Sequence, residues 1–512
     1  MKYRPSSASR PARGASWLPL ALALLVILCL GRAYASAARS PAVSCASLAT
    51  LHLKDTQILN VTHQAASSTL PGYCNVVGVI DERVSYQDPD HFTYGIVFEL
   101  NLPDKWVGRF EVTGGGGLDG SVSNPTGFFG TELAQGWAVA ADDGGHENPP
   151  GAAPPPTGVT WQDADQNAGG TAHFGIDEQA REDYGFNGIL ETTLISRQLL
   201  AHYYGDEPEH SYICGCSNGG RDAMMAAERF PSLFDGVFAE NPGFNLPQAA
   251  IAEAWNEQAL APLASSKDAN GEPDLSTSFT NADLEVASAA ILSVCDRLDG
   301  LVDGIVDDYT DCTDRIVYPA LERFTCAPGQ APHGGTCLTA AQVQALKKIF
   351  AGPVNSAGRP LYSNWYWDAG IWDPPAEGPA LGWQAWNVSF FGNPAYNTAA
   401  NLTLGGSAIP MVFTTPPVVT PVNGPDSQER FVLSYNFDTD APKIFARAPG
   451  YPLSAMQFMS AASTRLRAFE RHGGRMIILD SVNDGIFSGA AIVKWYEKLM
   501  AEHRDAPRFV RL

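Results

Sequence analysis

Charged side chains are scarce in this sequence: Asp, Glu, Lys and Arg make up 17% of its 512 residues. The basic ones are the smaller part, 33 Lys and Arg against 55 Asp and Glu, for a formal net charge of −22. A surface of that sign repels phosphate backbones and anionic lipid headgroups, so nucleic acids and membrane surfaces are excluded as partners. Beyond residue 30 no apolar run is long enough to cross a bilayer. There is no internal repeat, and no low-complexity tract other than the Pro/Ala-rich stretch Pro149 to Pro156. Solenoids, coiled coils and disordered chains are thereby set aside. What is present is a hydrophobic fraction of 45%, with 49 Gly and 37 Pro, the composition of a large, loop-rich globular enzyme. The length allows several domains, or one domain carrying a big insertion.

The N-terminus is expected to direct export. Lys2, Arg4, Arg10 and Arg13 precede the apolar run Trp17 to Leu30, which is short for a membrane span. Ala33-Tyr34-Ala35 follows as a small-x-small cleavage site, giving a signal peptide over residues 1–35 and a secreted or periplasmic product. An uncleaved anchor is the alternative. Of nine cysteines, Cys29 falls in that peptide, and eight remain: Cys45, Cys74, Cys214, Cys216, Cys295, Cys312, Cys326 and Cys337. An even set in an exported chain points to disulfides. Short separations favour Cys45–Cys74, Cys295–Cys312 and Cys326–Cys337, although spacing does not fix connectivity. Asn60, Asn387 and Asn401 head Asn-x-Ser/Thr sequons, acceptors only in a glycosylating host.

Strand and helix patterns alternate over residues 36–243. Strands are expected at Thr93 to Leu100, Arg109 to Val112, Gly136 to Ala141, Tyr212 to Cys214 and Gly236 to Glu240. Helices are expected at Asn187 to Tyr204, ended by Gly205, and at Gly220 to Arg229, stopped by Pro231. This alternation argues a mostly parallel sheet with helices on both faces. From 244 to 463 the periodicity fades into Asn, Pro, Gly and Trp. Residues 464–512 restore the pattern, with a strand at Arg475 to Asp480, a helix at Gly489 to Glu502 and a last strand at Phe509 to Leu512. The simplest organisation is one α/β core in two pieces, interrupted by an inserted lid.

Gly215-Cys216-Ser217-Asn218-Gly219 fits G-x-S-x-G between a strand and a helix. That is the context of a nucleophile elbow, so the fold class expected is an α/β-hydrolase core with a large inserted lid domain. Ser217 is the candidate nucleophile. The backbone N–H of Asn218 is the first oxyanion donor, and Gly116 or Gly117 in the run Gly114 to Gly117 the second. The acid should follow a later strand, and Asp484 lies there; Asp480 competes, but at a strand end where a turn-capping role suits it better. After Asp484 the one histidine is His503, in the solvated run Glu502-His503-Arg504-Asp505, which is a poor setting for a base that must reach Ser Oγ. The triad is incomplete as written.

Together these motifs resemble the tannase and feruloyl esterase family over nearly the whole chain after the signal peptide. The resemblance rests on Gly215 to Arg221, Arg229-Phe230-Pro231 with Phe234-Asp235-Gly236, the Asp-rich loop Cys295 to Cys312, Thr414-Thr415-Pro416-Pro417, and Gly473-Gly474 with Asp484. It implies that the Cys before the Ser is bonded to a Cys directly after the catalytic His, in a Pro-Gly-Met-x-His-Cys stretch. That stretch follows a strand resembling Phe509 to Leu512, where this sequence stops, so the expectation is a C-terminal truncation that leaves Cys216 without its partner. Pairing Cys216 with Cys214 would strain a two-residue spacing.

In the loop Cys295 to Ile305, three carboxylates at intervals of three and four between Gly turns suit either a hard cation or a plain Asp/Gly turn cluster. The resemblance implies a structural Ca²⁺ on Asp296, Asp299 and Asp303, with Leu301 and Ile305 giving backbone oxygens. The insertion is dense in Trp365, Trp367, Trp372, Trp383, Trp386, Phe390 and Phe391, most of them better read as lid core. Trp386 resembles the family's stacking Trp, and Phe487 an aromatic of its terephthalate-monoester enzyme. That enzyme grips a free carboxylate with a lid Arg. Here no Arg or Lys occurs from Pro360 to Glu429, and Ala400 or Asn401 falls about where it would be. The expected activity is therefore a secreted serine carboxylic ester hydrolase that cleaves small esters of aromatic acids, feruloyl or galloyl, through an acyl-enzyme, working as a monomer. The alternatives are a mono(2-hydroxyethyl) terephthalate hydrolase and, in another class, an inactive ligand-binding relative.

Overall fold

The computed structural model of the chain describes residues 38–89, 91–146, 170–268, 270–330, 335–374, 382–389, 399–421 and 426–512. The expected signal peptide, the Pro149 to Pro156 stretch, Phe390 and Phe391 lie outside the described residues.

Nine strands form one sheet in the order β1-β2-β3-β5-β4-β6-β7-β8-β9. The first three, β1 (Thr56–Gln64), β2 (Tyr73–Val84) and β3 (Thr93–Pro103), pair antiparallel, and β5 (Ala138–Asp142) runs antiparallel to β3. The rest is parallel: β4 (Arg109–Thr113) pairs with β5 and with β6 (His210–Cys216). Then come β7 (Gly236–Glu240), β8 (Arg475–Leu479) and β9 (Val510–Arg511), each parallel to its neighbour. The antiparallel wing departs from the mostly parallel sheet expected. The alternation of β1 is blurred by Gln57, Asn60, His63 and Gln64 on exposed positions, and that of β2 by the half-buried Asn75 and Arg83.

Helix α1 (Gly188–Tyr204) stops at Gly205, whose φ of 74° is the left-handed cap that glycine adopts without a Cβ penalty. Helix α2 (Asn218–Arg229) follows β6 directly. One core packs these helices against Phe98, Phe110, Val112, Ile213, Val237 and Ile478 of the sheet. On β8 the alternation shows which face they cover: Met476 and Ile478 are buried, whereas Ile477 and Leu479 are 54% and 53% exposed.

The described residues of 241–474 add no strand to this sheet; the helices of the span build a second core over its C-terminal edge. Helix α3 (Leu246–Leu260), α4 (Trp383–Asn387) and α5 (Ala400–Ala408) belong to it. Trp367 stacks on Phe350 at 4.0 Å, with Trp383 beside them, so these tryptophans are lid core. The chain returns through β8 into α6 (Gly489–Glu502). Disulfides join Cys45–Cys74, Cys295–Cys312 and Cys326–Cys337, the three pairs that spacing favoured. Cys214 and Cys216 are free. No helix of the described residues is long and apolar enough to cross a membrane. Asn387 and Asn401 are buried and bonded to one another, which removes both sequons from reach in the folded chain; Asn60 is exposed.

Candidate active site

Ser217 stands between β6 and α2 with φ 60° and ψ −118°, a conformation that side chains other than glycine's rarely adopt. The turn holds because its neighbours stitch it down. Ser217 N–H donates to Glu240 O at 3.0 Å, and Ser217 O accepts from Arg221 N at 3.1 Å and Gly243 N at 3.0 Å. The two flanking glycines serve close approach. A Cβ on Gly215 would come within 2.4 Å of Gly219 backbone, and one on Gly219 within 2.6 Å of Gly115 O. One on Gly114 would meet Gly219 Cα at 2.6 Å. Three bare backbones thus interlock, and the glycine run lies against the elbow.

Beyond that contact the run opens. Nothing lies within 4 Å of a Cβ built on Gly116, and Gly117, with φ 59°, meets only Leu404 at 3.9 Å. Gly117 rather than Gly116 lines the cavity in front of Ser217. Tyr184 pins it by donating to Gly117 O at 2.8 Å. Asn218, 1% exposed, begins α2, where the unpaired amides and the helix dipole favour negative charge. Its side chain is fully engaged: Nδ2 donates to Asp119, and Oδ1 accepts from Arg221 Nε at 2.7 Å.

Asp484 lies in the loop after β8, and parallel strands bring this loop to the same sheet edge as Ser217. Two strand spacings separate β6 from β8, about 10 Å, a gap for one further side chain. Asp484 Oδ1 accepts the N–H groups of Ile486 and Phe487, both at 2.8 Å. Burial still pushes its carboxyl up to about 6 against those two bonds. The lid fixes the loop: Trp365 Nε1 donates to Asp484 O at 3.2 Å, and Asn387 Nδ2 to Gly485 O at 3.2 Å. Asp480, the competitor, directly follows β8; burial and the charge of Asp484 raise it to about 7. His503 closes α6, roughly 20 Å of helix rise from the end nearest Asp484, so it is not brought to the site. Among the described residues no histidine lines the cavity. The Cys216 thiol is pushed up to about 11 by burial and by the charges of Glu240 and Asp484.

The cavity measures about 250 Å³ and is mainly apolar. Trp386 and Phe487 line it, and so do Leu246, Leu404, Ala408, Phe413 and Ile486, which sequence reasoning did not single out. Trp386 packs over Gly485, and the Phe487 ring over Gly243, so the pocket wall and the acid loop are one packing unit. Among the described residues Glu253 is its one carboxyl, and no Lys or Arg lines it.

The acidic loop is a different matter. Asp296 Oδ1 accepts from the N–H groups of Asp303 and Gly304, Asp299 Oδ1 from Leu301, and Asp303 Oδ1 from Ile305. The donor chemistry is that of a hard cation. The gathering is not there: among the described residues no three His, Cys, Asp or Glu side chains stand close enough to hold a metal.

A sheet of this order with its serine on a positive-φ turn makes the chain an α/β-hydrolase. It belongs to the tannase and feruloyl esterase family, whose model matches residues 74–510. It is similar to the mono(2-hydroxyethyl) terephthalate hydrolase of Piscinibacter sakaiensis, 38% identical over 458 residues, 88% of this chain and 73% of that one. A probable feruloyl esterase B-1 of Aspergillus fumigatus is 27% identical over 327 residues, 61% of this chain and 54% of that one. Among solved structures, feruloyl esterase B of Aspergillus oryzae aligns with a TM-score of 0.67 at 21% identity, covering 91% of this chain and 81% of that one. The tannin acyl hydrolase of Aspergillus niger gives 0.60 at 19%, covering 90% and 79%. These two bear on the fold. Ester hydrolysis is the chemistry that all four names have in common.

Proposed function

We propose that the chain is an exported serine carboxylic ester hydrolase acting on small esters of aromatic acids. The observation that carries this reading is Ser217 at φ 60° on the floor of an apolar cavity. Its Oγ attacks the ester carbonyl, and the alcohol departs to leave an acyl-enzyme that water then hydrolyses. The N–H groups of Asn218 and Gly117 take the oxyanion of each tetrahedral intermediate. Asp484, ionised above about pH 6, orients and balances the base. A histidine in the gap between Ser217 and Asp484 is the base this reading calls for. Export is supported by the N-terminal pattern and the three disulfides.

The wall chemistry favours neutral aromatic esters. Trp386, Phe413 and Phe487 offer ring faces and edges, and among the described residues no cation stands ready for a free carboxylate. The named relative at 38% identity supports the second reading, a terephthalate monoester hydrolase. Calcium on Asp296, Asp299 and Asp303, with backbone oxygens of Leu301 and Ile305, is proposed as a brace for the lid on the donor chemistry of the loop; binding it would have to draw together carboxyls that stand apart and hold loop amides through Oδ1.

Hydrolysis of methyl ferulate and of mono(2-hydroxyethyl) terephthalate, with Ser217→Ala as control, tests both. Turnover of the ferulate that vanishes in Ser217→Ala supports the first reading, and a higher kcat/KM on the terephthalate the second. No Ser217-dependent turnover of either, with binding intact, points instead to an inactive ligand-binding relative.

A further inference from the structure

Among the described residues Glu253 is the one carboxyl that lines the pocket, and the proposed mechanism leaves it unused. Helix α3 carries two buried carboxyls, Glu253 and Glu257, one turn apart. Glu257 is sealed, 0% exposed; Glu253 is 7% exposed and opens on the cavity. Among the described residues no hydrogen bond or ion pair engages Glu253, and burial alone raises its carboxyl to about 8. Its acid form therefore prevails at neutral pH, with one O–H to donate and one carbonyl oxygen to accept. A buried polar group with no partner is costly to the fold, and such groups are ordinarily satisfied. Here the free side faces space that a ligand fills.

Position supplies the second argument. Leu246 begins α3 just after Gly243, whose N–H is bonded to Ser217 O, so that end of the helix lies at the candidate nucleophile. Glu253 is two turns on, about 10 Å along the axis. Both line the same cavity, with Trp386 and Phe487 among its walls. Across from it, Gly405 of α5 leaves room for the carboxyl: a Cβ there would fall 1.9 Å from Glu253 Oε2. An acyl group whose carbonyl sits at Ser217 therefore points its far end at Glu253.

We infer that Glu253 is a specificity residue that hydrogen-bonds a ring hydroxyl at the distal end of the acyl group. This rests on the reading of Ser217 as the nucleophile of an aromatic ester hydrolase. A ring hydroxyl both donates and accepts, so it satisfies either oxygen of the carboxyl. A hydrogen or a methoxy group in its place satisfies less or nothing, and a carboxylate there meets no cation.

Binding of methyl 4-hydroxycinnamate and of methyl cinnamate to Ser217→Ala, measured by calorimetry, tests the assignment without turnover. The hydroxylated ester is expected to bind about 5- to 10-fold tighter, the worth of one net hydrogen bond. Adding Glu253→Gln, which still donates and accepts, keeps a preference; adding Glu253→Leu brings the ratio to about one. Gly405→Ala, which crowds the carboxyl from the other side, lowers the ratio as well and guards against a Leu variant that fails to fold. Equal binding of the two esters by the Ser217→Ala parent overturns the role of Glu253, as does an unchanged ratio in Glu253→Leu. No binding of either ester overturns the aromatic-ester reading beneath it.

Discussion

The side-chain amide of Asn218 donates to Oδ1 of Asp119 at 3.0 Å, across 99 residues of chain. That bond ties the residue after the candidate nucleophile to the turn that follows the glycine run. On its other side Asn218 is held by Arg221, whose guanidinium also donates to Tyr184 O and Gly185 O. Tyr184 in turn holds Gly117 O, so both proposed oxyanion donors hang on one buried network. Asp119→Ala is expected to lower kcat on an ester substrate at least tenfold with little change in KM. A lost oxyanion donor costs roughly 10²–10³ in kcat and a displaced one less. Steady-state kinetics of Asp119→Ala against Asp119→Asn, which keeps an acceptor, would check it; a rise in KM at constant kcat would count against a positioning role.

The backbone at Ser217 is strained in a way glycine relieves. A side chain at such a φ and ψ costs on the order of 1–3 kcal/mol. Ser217→Gly is therefore expected to unfold at a higher temperature than the parent while losing all Ser217-dependent hydrolysis. Ser217→Ala keeps the Cβ and should gain less. Melting both variants beside the parent separates strain from chemistry; a Gly variant no more stable than the Ala variant would remove the strain argument.

Buried acids should make the protein fold best on the acid side of neutrality. Burial raises Glu253 and Asp183 to about 8, Asp222, Glu111 and Asp480 to about 7, and Asp142 and Asp484 to about 6. A carboxyl whose folded value lies above its unfolded one binds more protons in the native state. Its contribution is complete below the unfolded value, near 4, and is lost as pH rises through the folded value. Asp177 runs the other way: burial would raise it, yet bonds from Arg83 and Ser85 hold it below its ordinary value, so its contribution is lost in acid. The melting temperature is expected to peak near pH 5 and to fall steadily to pH 9, and Glu253→Leu should flatten the upper part of that fall. A profile that rises from pH 5 to 8 would contradict the sign.

Calcium, if the Cys295–Cys312 loop takes it, stabilises the folded chain by mass action. At a hundred times its Kd a ligand adds about 2.7 kcal/mol. Millimolar CaCl₂ is expected to raise the melting temperature by several degrees, EGTA to reverse this, and Asp303→Ala to abolish the difference. The same temperature in EGTA and in CaCl₂ would leave the loop a turn cluster closed by its own amides.

The core from β3 onward was legible because its strands are short apolar runs and its helices carry their own stops. Gly236 to Glu240 and Gly489 to Glu502 match the expectation residue for residue. Helix α2 begins two residues earlier than its pattern, at Asn218, because the elbow turns straight into it. β1 and β2 escaped because a half-exposed antiparallel wing mixes polar residues into both faces. The elbow was legible from five letters, since only small residues fit where Gly215 and Gly219 touch. Glu253 was not, although it sits in a helix with no exposed face: Ala249, Ala250, Ile251, Ala252 and Ala254 are all buried around it. A carboxyl in such a run is itself a signal, but only the fold says which cavity it opens on. The choice between Gly116 and Gly117 likewise waited for the packing of Leu404.

The interlock of Gly114, Gly215 and Gly219 divides the site into two kinds of position for anyone who would re-engineer it. At those three the tolerance for an added atom is nil, so a randomised library that includes them fills with misfolded clones. Leu246, Leu404, Ala408 and Phe413 touch the ligand space without touching the interlock, and there diversity can be spent freely. The shape of the catalytic corner and the taste of the pocket are thus separately adjustable, because the first is written in hydrogen atoms and the second in side chains.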